Sequence, residues 1–236
     1  MQNRYIGDVG DFAKYSFLNS MSEGRSLGVA WYLYPDEGHN GDGKHIAYLD
    51  DPAEWRGKDP IVFDRLLDLV RTGQRSVAAL EASGACAAQA YHAEPLAYEN
   101  SSSTKRAAWR SAWFQTALSD LKECDVIFCD PDNGLRLDDT YRPFNRKMWK
   151  SIPVREAKAL AESRTVILYH HNSRFKGGHV AEIDFWMKEL DASFAVRARA
   201  YSGRTFFVVN ARDGMMRTAQ DWCARFGPKY QLVMPK

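Results

Sequence analysis

The sequence predicts an α/β fold: a doubly wound, mostly parallel sheet that ends in an antiparallel strand pair. Three observations carry this prediction. Strand-length apolar runs at 27–33, 125–129 and 164–169 each break into a polar, turn-rich segment. Segments with near-helical apolar spacing lie between those runs. Toward the carboxyl end, 194–201 and 204–209 alternate apolar and polar residues on either side of Ser202-Gly203, the pattern of two strands joined by a tight turn.

The chain of 236 residues is long enough for one large domain, 1–236, with room for a small helical insertion around 50–73. A formal net charge of +2 argues neither for nor against nucleic acid; only local clustering could. Cys86, Cys124, Cys129 and Cys223 have no C-x-x-C spacing, which argues against a structural zinc site. No signal peptide is recognised at the start and no apolar run is long enough to span a bilayer, so the expected setting is cytoplasmic, without a membrane partner.

In chain order, 7–21 begins as a Gly/Asp loop and becomes helical, with Asp11 as the expected N-cap and Lys14 in the first turn. The helix dipole disfavours a cation there, so Lys14 reads either as the partner of an acid or ligand or as a surface lysine. The run 27–33 leads into acids and three glycines around Glu37, Gly38, His39, Gly41 and Gly43; both a nucleotide-binding loop and a hairpin-like surface loop fit. Residues 61–70 have helical spacing, 76–81 reads as a strand ending in Glu81, and 88–96 as a third strand ending in Glu94. Ser101 to Thr104 can cap a helix carrying Trp109 and Trp113, which read as core.

The organising stretch is 125–135. A short apolar run ends in Asp130-Pro131-Asp132-Asn133-Gly134, delivering two carboxylates and a carboxamide to a strand's carboxyl end, where open α/β sheets bind ligands. An Asx-turn capping the next element uses the same residues. Residues 136–158 follow with seven cations interleaved with Tyr141, Phe144 and Trp149: either a surface for the backbone and bases of RNA or DNA, or a solvated face. The run 164–169 leads to His170, His171 and, further on, His179. Adjacent residues on a strand point to opposite faces, so at most one of His170 and His171 enters a site there. A helix over 178–190 and a last helix around 216–226 precede a short tail.

Gly7-Asp8-Val9-Gly10-Asp11-Phe12-Ala13-Lys14-Tyr15 resembles the G-N-x-A-D-V-x-K-H signature of the bacterial large-subunit ribosomal RNA adenine-N6 methyltransferases, a branch of the class I methyltransferases that use S-adenosylmethionine (SAM). The matching positions are Gly7, Asp11 and Lys14. The family's T-H-A-G-A-G loop falls on 38–43, its later acids on Glu81 and then Glu94, and its D-P-P-Y on Asp130-Pro131-Asp132-Asn133. The resemblance implies a Rossmann-like, class I methyltransferase-like sheet. It implies SAM held by Lys14, Glu37, Gly38, His39, Gly41 and Glu81, and an acceptor amine oriented by Asp130, Pro131, Asp132 and Asn133, with His170 close by. The second proline and the aromatic of D-P-P-Y are absent, so base stacking falls to Trp149, Tyr169 or Phe175.

Two other functions stay open. Asp130, Asp132 and one or two of His170, His171 and His179 could hold a divalent metal for a nuclease or phosphodiesterase. The same fold could also serve as a non-catalytic binding module.

Overall fold

The computed structural model describes residues 1–37, 43–97, 102–200 and 202–236. Its strands are β1 Leu27–Ala30, β2 Ala90–His92, β3 Val126–Cys129, β4 Gly134–Arg136, β5 Ser151–Pro153, β6 Thr165–His171, β7 Ala192–Ala198, β8 Arg204–Val209 and β9 Tyr230–Val233. Its helices are α1 Val9–Met21, α2 Pro52–Trp55, α3 Pro60–Arg71, α4 Val77–Ser83, α5 Ser103–Asp120, α6 Val154–Leu160, α7 Gly178–Leu190 and α8 Met215–Phe226.

Seven strands form the central sheet in the order β2-β1-β3-β6-β8-β7-β9, while β4 and β5 make a separate parallel pair. Strands β2, β1, β3 and β6 are mutually parallel; β8 runs against both β6 and β7, and β9 against β7. The sheet is therefore mostly parallel with an antiparallel portion at one side. The expected hairpin is β7–β8, paired from Ala192↔Val209 to Ala198↔Arg204. The tail beyond it is not loose but adds β9.

Both faces of the sheet are covered, which is why β1 and β3 are apolar at every position rather than alternating. On one face, Val29, Trp31, Val126 and Phe128 pack with residues of α1, α3, α4 and α8. On the other, Ala30, Tyr32, Ile127 and Cys129 pack with α5, α6 and α7. Helix α1 is buried on nearly every side from Val9 to Leu18. Its amphipathic pattern is poor in sequence for that reason, since a helix enclosed by sheet and neighbouring helices has no solvent stripe to mark.

Two expectations fail locally. Residues 76–81 are not a strand. Ser76 accepts from the Ala79 amide as an N-cap, and Val77 and Leu80 face the core as part of α4. A hydroxyl cap and an i, i+3 apolar pair outweigh the short apolar run. In α1 the N-cap is Asp8, which accepts from the Gly10 amide at 2.5 Å, so Asp11 lies inside the first turn.

The chain leaves β1 for β2 on one side and returns to β3 on the other. The carboxyl ends of β1 and β3 therefore flank a topological switch point, where the diverging connections leave a crevice. No helix among the described residues is long and apolar enough to cross a membrane.

Candidate functional site

At the end of β3, the Asp130 amide donates to the Ala30 carbonyl and carries the ladder one residue further. The chain then turns. The Gly134 amide donates to the Pro131 carbonyl and the Asn133 amide to the Lys150 carbonyl. Gly134 has φ +69°, and a side chain there would run into the His170 ring, so only glycine closes this turn against β6. Two residues past β1, Tyr32 is held at φ +45°, a left-handed conformation uncommon for an aromatic residue. Its ring is fixed below by a hydrogen bond from its hydroxyl to Glu156, which Arg110 pairs at 2.7 Å.

Three charged side chains meet under the turn. Lys14 Nζ lies 2.8 Å from Asp11 Oδ1 and 2.7 Å from Asp130 Oδ2, and all three residues are buried. The unfavourable position of Lys14 in the first turn of α1 is thus offset by two carboxylates. Burial alone would lower its pKa, but Asp11 and Asp130 outweigh that and hold it above the ordinary lysine value. Burial, offset only in part by Lys14, pushes the Asp11 carboxyl up to about 6. Asp11 also accepts from the Gly7 amide, which locks the loop to the helix.

A second cluster sits on the outer side of the turn. Asp132 Oδ1 lies 2.6 Å from the Met1 ammonium, which also donates to the carbonyls of Asp130 at 2.8 Å and Tyr32 at 3.2 Å. Asp132 Oδ2 accepts from Gln2 Nε2 at 2.6 Å. Glu37 joins this group through Gln2 and through an ion pair with Lys150.

A cavity of about 240 Å³ opens beside these clusters, lined among others by Asp8, Asp11, Lys14, Asp130, Asp132, Tyr169, His171 and Arg204. The structure thus brings together three of the expected residues, Lys14, Asp130 and Asp132, in one cavity. Asn133 is exposed and does not line the cavity. The Pro131 carbonyl is used within the turn, and the carbonyl that meets an amine is that of Asp130.

His170 is enclosed instead. Its Nδ1 accepts from the Leu135 amide, and its Nε2 lies 3.1 Å from Glu182, so both ring nitrogens brace the turn against β6 and α7. Its neighbour His171 lines the cavity, as the alternation along a strand requires. Glu81 lies on α4 and accepts from the Trp31 indole at 2.6 Å, away from the cavity. Gly38, His39 and Gly41 fall outside the described residues. Of the three aromatic substitutes, Trp149 is buried and stacks on Trp109, Phe175 packs on Phe185, and Tyr169 alone lines the cavity. Among the described residues, no group of three or more His, Cys, Asp or Glu side chains is placed to hold a metal ion.

Sequence reasoning missed Arg204, which enters from β8 and packs over Gly10, where any side chain would collide with its guanidinium. A single arginine at a strand start carries no signal; the glycine at the second position of α1 is its only trace. Comparison with known proteins returns no matching family model and no matching curated protein.

Proposed function

We propose that this chain is a SAM-dependent methyltransferase of the class I, Rossmann-like type, acting on an amine of RNA or DNA. One observation carries the reading: the turn at the switch point holds a primary amine. The Asp130 and Tyr32 carbonyls and the Asp132 carboxylate surround the Met1 ammonium. Two of these three acceptors suffice to take the N–H bonds of an acceptor NH₂ group and so aim its lone pair at an electrophile. The parallel strands followed by the antiparallel β8 and its neighbour β7 support the fold assignment.

The charge of the cavity fits the cofactor. Asp8, Asp11, Asp130 and Asp132 face two cationic side chains, Lys14 and Arg204, and the Met1 ammonium, leaving one surplus negative charge for a sulfonium. When bound, SAM supplies an already electrophilic methyl carbon. The chain's own work is then to orient. Lys14 takes the cofactor side, while Glu37, hydrogen-bonded through Gln2 to the Asp132 cluster, belongs with the acceptor half. Glu94, which follows β2 directly beside β1, replaces Glu81 as the acid for the ribose. Asp130 and Asp132 hold the amine in this reading, and Asp132 receives its proton.

The nucleic-acid partner is supported by 136–158, where seven cations face three acids and Arg142, Phe144, Arg146, Lys147, Arg155 and Lys158 are exposed. The hydrogen bond between Asn133 and Lys150 joins that stretch to the turn.

Titration calorimetry with SAM and S-adenosylhomocysteine tests the reading. Binding that weakens about tenfold or more in Glu94→Ala supports it. Absence of binding to the folded wild-type protein refutes it.

A further inference from the structure

The buried side chain of Gln2 uses both its polar atoms, on Asp132 of the turn and on Glu37 beyond β1. Its Nε2 donates to Asp132 Oδ2 at 2.6 Å and approaches Glu37 Oε2 at 3.3 Å, while its Oε1 accepts from the Glu37 amide at 3.0 Å. Gln2 is 1% exposed. Its environment thus presents, side by side, two carboxylate acceptors for an NH₂ group and one N–H donor for the adjacent acceptor atom. This is complementary to a planar edge of the type H₂N–C=O or H₂N–C=N, and mismatched to an edge whose N–H is flanked by carbonyls.

We infer that Gln2 is an internal occupant of an edge-reading seat formed by Asp132 and Glu37, and that the segment 1–5 is a strap keeping this seat closed. The strap is fastened at several points. Arg4 donates to the Glu37 carbonyl, Arg75 to the carbonyls of Arg4 and Ile6, and the Val77 amide to Asn3 Oδ1. The Gln2 contact reaches the turn's carboxylate Asp132 through a side chain that an incoming ligand can imitate. A ligand with the same edge competes with Gln2 directly, and removing the carboxamide relieves that competition without touching Asp132 or Glu37. The seat rests on the acceptor half of the proposed function, not on the identity of the methyl donor.

The test is equilibrium binding of adenosine, cytidine and uridine to wild type, Gln2→Ala and Gln2→Glu, with thermal melts confirming the fold. Adenosine and cytidine carry the H₂N–C=N edge; uridine carries the opposite one. The expected result is a gain of about tenfold or more for adenosine and cytidine in Gln2→Ala, with no gain for uridine. Gln2→Glu should give the same gain, because its carboxylate faces Asp132 and Glu37 and is repelled. An equal gain for uridine, or no gain for any nucleoside in a folded variant, overturns the inference. Loss of folding in both variants also overturns it, since Gln2 is then a structural anchor. S-adenosylhomocysteine titrated into the same proteins separates the two proposals. Cofactor binding without a nucleoside gain removes the strap and leaves the methyltransferase; the gain without cofactor binding does the reverse.

Discussion

Replacing Lys14 with methionine removes the one side-chain cation shared by Asp11 and Asp130 while keeping an unbranched side chain of similar length. The lysine lies 2.8 and 2.7 Å from the two carboxylates, and its side chain is 5% exposed. Removing one member of a buried ion pair costs about 3–5 kcal/mol, because the remaining charge is left without compensation. That is a large part of the total stability of a typical domain, about 5–15 kcal/mol. The variant can escape part of this cost by keeping a proton on Asp11, whose carboxyl is already pushed up to about 6 in the wild type.

The pH dependence follows from that shift. A carboxyl raised from 3.8 to about 6 binds its proton in the folded state across this window while the unfolded chain has released it. Stability therefore falls as pH rises from about 4 to 6, by about 3 kcal/mol from this group at about 1.4 kcal/mol per pH unit. In Lys14→Met the window extends above pH 6, because the cation that lowered the Asp11 pKa is gone. Urea denaturation at pH 5, 6.5 and 8 measures this. The variant should be least stable at pH 8 and recover toward pH 5, and adding Asp11→Asn should restore more than about 1 kcal/mol at pH 8. A variant within about 1 kcal/mol of wild type at pH 8, with an unchanged slope between pH 6.5 and 8, would refute the charge-sharing argument.

Three further outcomes are expected. His170→Ala should lower the denaturation midpoint by an amount equivalent to about 1–3 kcal/mol, since it orphans the Leu135 amide and removes one of the hydrogen bonds to Glu182, and a loss below about 0.5 kcal/mol would contradict its bracing role. Hydrogen bonds from His170 and Ser173 outweigh burial and bring the Glu182 carboxyl down to about 2, so its contribution is fully present above about pH 4.5 and is lost as pH falls toward 2. Acid titration of Glu182→Gln should therefore show a shallower loss of stability below pH 4.5 than wild type. Arg110→Met should cost about 3–5 kcal/mol by leaving Glu156 buried beside the Tyr32 hydroxyl, and Arg110→Met/Glu156→Leu should regain most of it in chemical denaturation.

The fold was readable where local pattern and tertiary role agree. The runs that became β1, β3 and β6 are buried on both faces, so apolar continuity marked them directly. The region 76–81 misled because a short apolar run does not separate strand from helix, and the Ser76 cap decided it. The tail strand β9 has partly exposed residues and only one neighbour, so no apolar run announced it. In the site, Asp130 and Asp132 were legible because a strand ending in a Pro/Asp/Gly turn locates polar residues at a sheet edge. Lys14 was legible as a cation in a position its helix disfavours. Glu81 was expected at the end of a strand, and that strand is α4.

What the sequence by itself determined is therefore the layered α/β chain and the polar groups its most conspicuous turn delivers to a sheet edge, since both are written in contiguous residues. What only the tertiary structure decided is which distant groups meet there. Lys14 reaches Asp130 across 116 residues, Gln2 reaches Asp132 across 130, and Arg204 arrives from the opposite end of the chain. The physical reason is that burial fixes partners only after the sheet has ordered its strands. A charge brought to the switch point keeps its ionisation only if another segment supplies the counter-charge, and no local pattern records which segment that is.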